Sequence, residues 1–175
     1  MADNAARTVQ EYMQSTGIAL RPEGPGLPAA SVTAPQGWVE VSTEVLPGAR
    51  QVVAAVERAR DGFSPNAVLV DNTLVGEVDE DEFMQCAIGD ARRMPGWSEA
   101  IARVEDVDGG RRALIRGTYE AEGKTVCVTT VYLLTAHATG RHLAQLTVTI
   151  EAAAVDLLDD VDEMVGSLRV SAAEE

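Results

Sequence analysis

Residues 111–151 read RRALIRGTYEAEGKTVCVTTVYLLTAHATGRHLAQLTVTIE, and this stretch decides the fold. Asp108-Gly109-Gly110, just before it, is a tight-turn signal. Ala113, Ile115, Gly117 and Tyr119 then alternate with Leu114, Arg116, Thr118 and Glu120, one set for each face of a strand. Glu122-Gly123 turns the chain again. Lys124 to Thr135 follows, rich in the Val, Thr, Tyr and Leu that suit a pleated surface. After a third turn at His137 to Gly140, His142 to Glu151 has the clearest alternation in the chain. It predicts Ala144, Leu146, Val148 and Ile150 buried, and Gln145, Thr147 and Thr149 more exposed. Three consecutive antiparallel strands are expected, with the remaining chain folded around them.

Outward from this meander, Ile101 to Val107 reads as the strand leading into it. Asp79 to Met94 reads as a helix, with Asp79 as N-cap, Glu82 completing a capping box and Pro95-Gly96 ending it. Its buried stripe is Phe83, Met84, Ala87, Ile88 and Ala91. Ser31 to Ala34, Val39 to Val41, Arg50 to Glu57 and Ala67 to Thr73 read as further strands, separated by Pro and Gly turns. Ala152 to Val165 is the last helix, and Ser167 to Val170 a short closing strand. At the other end, Asn4 to Thr16 is a helix capped by Asn4 and ended by Gly17. The chain then divides into a helix and Pro/Gly-rich linker over residues 1–28, one domain over 29–171, and a frayed tail over 172–175. One-face alternation with apolar helix stripes implies an α+β fold, an antiparallel sheet sandwiched by helices.

Composition narrows the function classes. The chain has 175 residues, enough for one domain with a sizeable core. Its net charge of -14 argues against nucleic acid and anionic membrane as partners, since both are held by Lys and Arg. The basic residues are almost all Arg, which together with abundant Ala suggests a GC-rich source. No stretch approaches the roughly 20 apolar residues of a membrane span. Residues 1–18 carry Asp3 and Glu11 and no apolar run, so the expected location is the cytoplasm, with Cys86 and Cys127 as reduced, buried thiols.

Catalytic patterns are absent: no G-x-S-x-G elbow, no dinucleotide-binding glycine fingerprint, no P-loop. The acidic run Glu77, Asp79, Glu80, Asp81, Glu82 lacks the spacing of a calcium loop and sits where a helix dipole favours carboxylates. His137 and His142 flank a turn without a metal-ligand pattern, so no metal and no cofactor is expected. The aromatic residues are few, at 4%, and the candidate binding residues are Trp38, Phe63, Trp97 and Tyr119. Asn66, after Pro65, is expected to stabilise its turn.

Several stretches together resemble the mycobacterial LpqN/LpqT lipoprotein family: Thr8 to Met13 with Gly17-Ile18, Ala34-Pro35-Gln36-Gly37-Trp38, Phe63 to Ala67, and Leu143 to Val170. That family is similar in fold to the photosystem PsbP proteins and a yeast Ran-binding protein. The resemblance implies a PsbP-like domain used for binding. The export signal and lipidated Cys of the family's lipoproteins are not seen in this sequence. The expected function is a non-enzymatic binding or accessory module for a protein partner or a small apolar ligand. The alternative is an enzyme or metal protein with a site near His137 and His142.

Overall fold

The strand meander carries through the whole central sheet of the computed structural model, which describes residues 7–21, 27–138 and 140–171. Strands β6 (Ser98–Val107), β7 (Gly110–Ala121), β8 (Lys124–His137) and β9 (Gly140–Glu151) pair antiparallel in chain order. Beyond β9 come β5 (Asn66–Val75), β4 (Gln51–Ala54) and the edge strand β3 (Val39–Val41), while β1 (Ala19–Arg21) pairs with the C-terminal part of β5. Off this sheet, β2 (Ala29–Ser31) pairs with β10 (Arg169–Ser171). The Glu122-Gly123 turn has positive φ at both residues, 50° and 79°, the twist that suits a two-residue hairpin.

Burial follows the predicted alternation. Ala144, Leu146, Val148 and Ile150 are buried, while Gln145, Thr147 and Thr149 are half-buried on the opposite face. The two sheet faces feed separate cores. One contains Leu69, Leu114, Val131, Leu146 and Val148, covered by α3 (Leu158–Ser167) through Val161, Met164 and Val165. The other contains Leu74, Ala113, Ile115, Tyr132 and Leu134, covered by α1 (Val9–Thr16) and α2 (Glu80–Arg92). The result is the expected α+β architecture, an antiparallel sheet between helical layers.

Local chemistry explains the helix ends. The Asp79 carboxylate accepts from the Glu82 amide at 3.0 Å, as expected for the cap of α2. The first helix starts later than the sequence suggests. Thr8 Oγ1 accepts from the Glu11 amide at 3.1 Å, and Glu11 accepts from the Thr8 amide at 2.9 Å. This reciprocal capping box begins the helix at Val9, and Asn4 lies outside the described residues, as does the expected tail 172–175. Gly17, at φ 72°, ends the helix as predicted.

Helix α1 is built into the core. Tyr12 is buried, packs edge-to-face on Phe83 with centroids 5.8 Å apart, and accepts from the Asp79 amide at 2.9 Å. Two boundaries differ near the sheet's other end. Arg50 to Glu57 divides into β4 and a 3-10 turn at Val56–Arg58. The last helix begins at Leu158 because the chain first turns out of the sheet, with the Ala154 amide donating to Glu151. Cys86 and Cys127 are free and join cores on opposite faces of the sheet. Burial pushes both thiols above their ordinary pKa.

Candidate ligand cavity and the Asp71 cluster

On the α3 side, at one end of the sheet, the layers stand apart and leave a cavity of about 690 Å³. Val165 and Leu168 come from the end of α3, and Val170 from β10. Pro28 comes from the segment entering β2, and Val107 to Gly109 from the β6–β7 turn. The sheet supplies Arg112, Leu133, Thr135 and His137. The alternation of β8 sets this floor. Leu133, Thr135 and His137 project to the α3 face, and Arg112 is the cross-strand partner of Leu133.

The lining is largely apolar, with Arg112, Thr135, His137 and Arg169 among its polar groups. The Arg112 guanidinium pairs with Glu105, whose carboxyl it holds below the usual range. Arg169 Nε donates to the Ser167 carbonyl at 3.1 Å. The lining thus carries two guanidinium groups on a chain of net charge -14.

Beside the cavity lies a buried polar cluster. Asp71, in the middle of β5, is 3% exposed. Its carboxylate accepts from Arg50 Nε at 2.6 Å and from the Ala30 amide at 2.9 Å. His142 Nε2 lies 3.0 Å from the same carboxylate. A buried carboxylate needs such partners to offset its lost hydration. Asp71 therefore ties together β2, β9 and the residue preceding β4. The sequence held a signal for it, an acidic residue directly after the apolar run Ala67 to Val70 in a predicted strand, that was passed over.

The sequence-derived candidates are spread across the molecule. Trp38 is a core residue of the α3 face, 5% exposed, with its Nε1 donating to Asp160 at 2.9 Å. Trp97 is half-buried over Gly117 on the opposite face, where a Cβ at 117 would stand 2.5 Å from the indole. Tyr119 is half-buried further along β7. Phe63 lies under Lys124, whose Nζ is 5.9 Å from the ring centroid. These four do not line the large cavity. Asn66 Nδ2 donates to the Ser64 carbonyl at 3.0 Å, the turn-holding role read for it. His137 lines the cavity, whereas His142 is buried against Asp71. Among the described residues no cluster of three or more His, Cys, Asp or Glu is placed to hold a metal ion, and no helix is long and apolar enough to cross a membrane.

The cavity residues Pro28, Leu133, Leu168 and Val170 escaped sequence reasoning because nothing distinguishes them from ordinary core positions. Asp160 and Asp162 of the last helix and Asp156 of the turn before it each contact another part of the fold, with Asp156 and Asp162 still exposed. Asp160 takes Trp38, Asp156 takes Arg58 at 2.8 Å, and Asp162 takes Arg116 at 2.6 Å.

Comparison with known proteins places this architecture. A crystal structure of LpqN of Mycobacterium tuberculosis, described as involved in cell envelope biogenesis, superposes with a TM-score of 0.83 at 18% identity, covering 94% of this chain and 97% of that one. A protein of unknown function from Pseudomonas aeruginosa, PA94, described as a putative regulator, superposes at 0.50 with 11% identity over 86% of this chain and 94% of its own. In sequence, the proline-rich 28 kDa antigen homolog of Mycobacterium leprae is 27% identical over 85% of this chain and 54% of its own length. The proline-rich 28 kDa antigen of Mycobacterium tuberculosis is 26% identical over 81% and 46%. The chain therefore spans about half the length of the curated relatives it matches. The family profile described as probable lipoprotein LpqN matches residues 5–171, nearly the whole sequence. With that match, and a fold shared from the first helix to the closing strand, the chain belongs to the Lpp-LpqN family.

Proposed function

We propose that the protein is a non-enzymatic binding module that holds a small apolar or amphipathic ligand between the sheet and the end of α3. One observation carries this reading: a cavity of about 690 Å³ lined by Leu133, Val165, Leu168 and Val170 together with Arg112 and Arg169. That size falls inside the roughly 300–1,000 Å³ of ordinary small-molecule sites, which combine an apolar lining with a few orienting polar groups. The non-enzymatic part of the reading is supported by His142, whose ring is 2% exposed and committed on one side to Asp71. A general base must reach substrate, and this ring does not open to solvent.

The test is displacement of a fluorescent apolar probe from the purified protein, together with native mass spectrometry of protein isolated from its source. Leu168→Glu puts a carboxylate into the cavity wall and should abolish probe binding while circular dichroism stays unchanged. Probe binding that survives this substitution at full strength would remove the cavity from the proposal.

The compartment is a separate proposal. The sequence expectation is the cytoplasm, whereas the structural relative is described as involved in cell envelope biogenesis. Fractionation of native cells against cytoplasmic and envelope markers separates the two.

A further inference from the structure

The sheet ends differently at its two sides. β3 and β1 are edge strands of three residues each, whereas β6, at the opposite end, has ten. Among the described residues no strand pairs with the outer side of β6. A strand edge presents a row of unpaired N–H and C=O groups, and native sheets blunt a long one with Pro, Lys or a bulge. β6 contains neither Pro nor Lys, and its bulge falls at Ala100, between Glu99 and Ile101. The stretch from Ile101 to Val107 is therefore regular, bounded by the bulge at one end and the Asp108-Gly109 turn at the other.

Alternation sorts the side chains of this stretch. Ala102 and Val104 pack against the core under α1 and α2, so Ile101, Arg103, Glu105 and Val107 belong to the α3 face. Ile101 is 40% exposed and the Arg103 side chain 54%, so the outer part of that face is open.

Along the strand these four residues run apolar, positive, negative, apolar, an order that is complementary to its own reverse. A second copy laid antiparallel along β6, with Val104 facing Val104 on the two-fold axis, sets Ile101 opposite Val107 twice and Arg103 opposite Glu105 twice. Both are favourable cross-strand pairs. Moving the axis to residue 103 puts Arg opposite Arg, and moving it to residue 105 puts Glu opposite Glu. Charge therefore selects one register, and its centre is also the centre of the regular stretch. Within one chain Arg103 reaches Glu105 only at 3.7 Å, because side chains two apart on a strand are not directly opposed. On the other face the same register sets Ala102 opposite Asp106, which is paired with Arg111 of its own chain at 3.1 Å.

We propose that β6 is a self-pairing edge, and that two copies of this chain join antiparallel through residues 101–107 into one continuous sheet. The interface is isologous, as a two-fold dimer requires. It is also small, a strand edge without a helix layer, so the dimer forms and dissociates with concentration.

Sedimentation velocity from about 1 µM to about 1 mM measures the association, and amide hydrogen exchange locates it. A concentration-dependent dimer that gains protection at residues 101–107 is expected. Arg103→Glu, at an exposed position, should weaken dimerisation about tenfold or more, since two attractive pairs become repulsive. Glu105→Arg should do the same alone. An equimolar mixture of the two variants should dimerise again, because each chain then supplies the charge the other lacks. Circular dichroism checks that both variants fold, and Arg103→Glu decides by itself if Glu105→Arg, which also loses its Arg112 pair, does not. A chain that stays monomeric throughout, a dimer protected elsewhere, or a dimer indifferent to Arg103→Glu overturns the proposal. Protection of 101–107 acquired only on binding a different protein assigns the edge to that partner and also overturns it.

Discussion

Leu146→Ala tests the assignment of sheet faces on which the architecture depends. Leu146 is fully buried in β9, which lies between β5 and β8. Its direct cross-strand neighbours are Leu69 on one side and Val131 on the other, both fully buried. Truncation to Ala removes three carbons from the α3-side core. At about 0.8 kcal/mol per buried methylene, the transfer term alone is about 2.4 kcal/mol. The flanking strands are held by their own hydrogen bonds and cannot close the gap. A cavity term therefore adds to this, giving a total of about 3–5 kcal/mol. Thr147→Ala is the internal control. Thr147 is half-buried on the opposite face, and its loss should cost under about 1 kcal/mol. Urea denaturation of both variants, with unchanged slope, measures the difference. Equal losses for the two variants, or a loss below about 1.5 kcal/mol for Leu146→Ala, would refute the packing described for β9.

Three further outcomes are expected. Asp71→Ala should cost about 3–5 kcal/mol, because it takes the buried carboxylate away from the Ala30 amide and His142 and removes one partner of Arg50, and Asp71→Asn should cost less; chemical denaturation measures both. Gly117→Ala should cost about 1–3 kcal/mol and alter Trp97 fluorescence, since the new methyl meets both the indole and the Ser98 carbonyl; an unchanged emission spectrum would argue against that contact. Asp90 accepts from the Val9 amide at 3.0 Å, and burial raises its pKa above the usual carboxylate value of 3.8. A raised carboxyl contributes stability that is present below the unfolded pKa and lost as pH rises through the folded one. Asp90→Asn, which retains an acceptor without the charge, should therefore be the more stable protein at neutral pH, and the gap should close on acidification; a gap that widens in acid would contradict the assignment.

Sequence alone determined the meander, its register and the two-sided burial of the sheet, because these rest on a local rule. Successive side chains in a strand point to opposite faces, so the alternation from His142 to Glu151 names the buried set without reference to any distant residue. The cap of α2 and the end of α1 were legible for the same reason, since a cap is satisfied within one turn of helix. The site was not legible. Pro28, Leu133 and Leu168 are far apart in the chain and become one wall only when β2, β8 and the end of α3 meet. Gly117 looks like a weak point in a strand until the Trp97 indole is seen lying against it. Asp71 and His142 share the buried face of their strands by alternation, but which groups pair with the Asp71 carboxylate is seen only when Ala30 and Arg50 meet it. Burial converts those two side chains into paired groups, and it leaves His142 Nδ1 and Thr73 Oγ1 without a partner among the described residues. Which polar atoms lose water depends on what packs above them, and that is decided by the assembled layers.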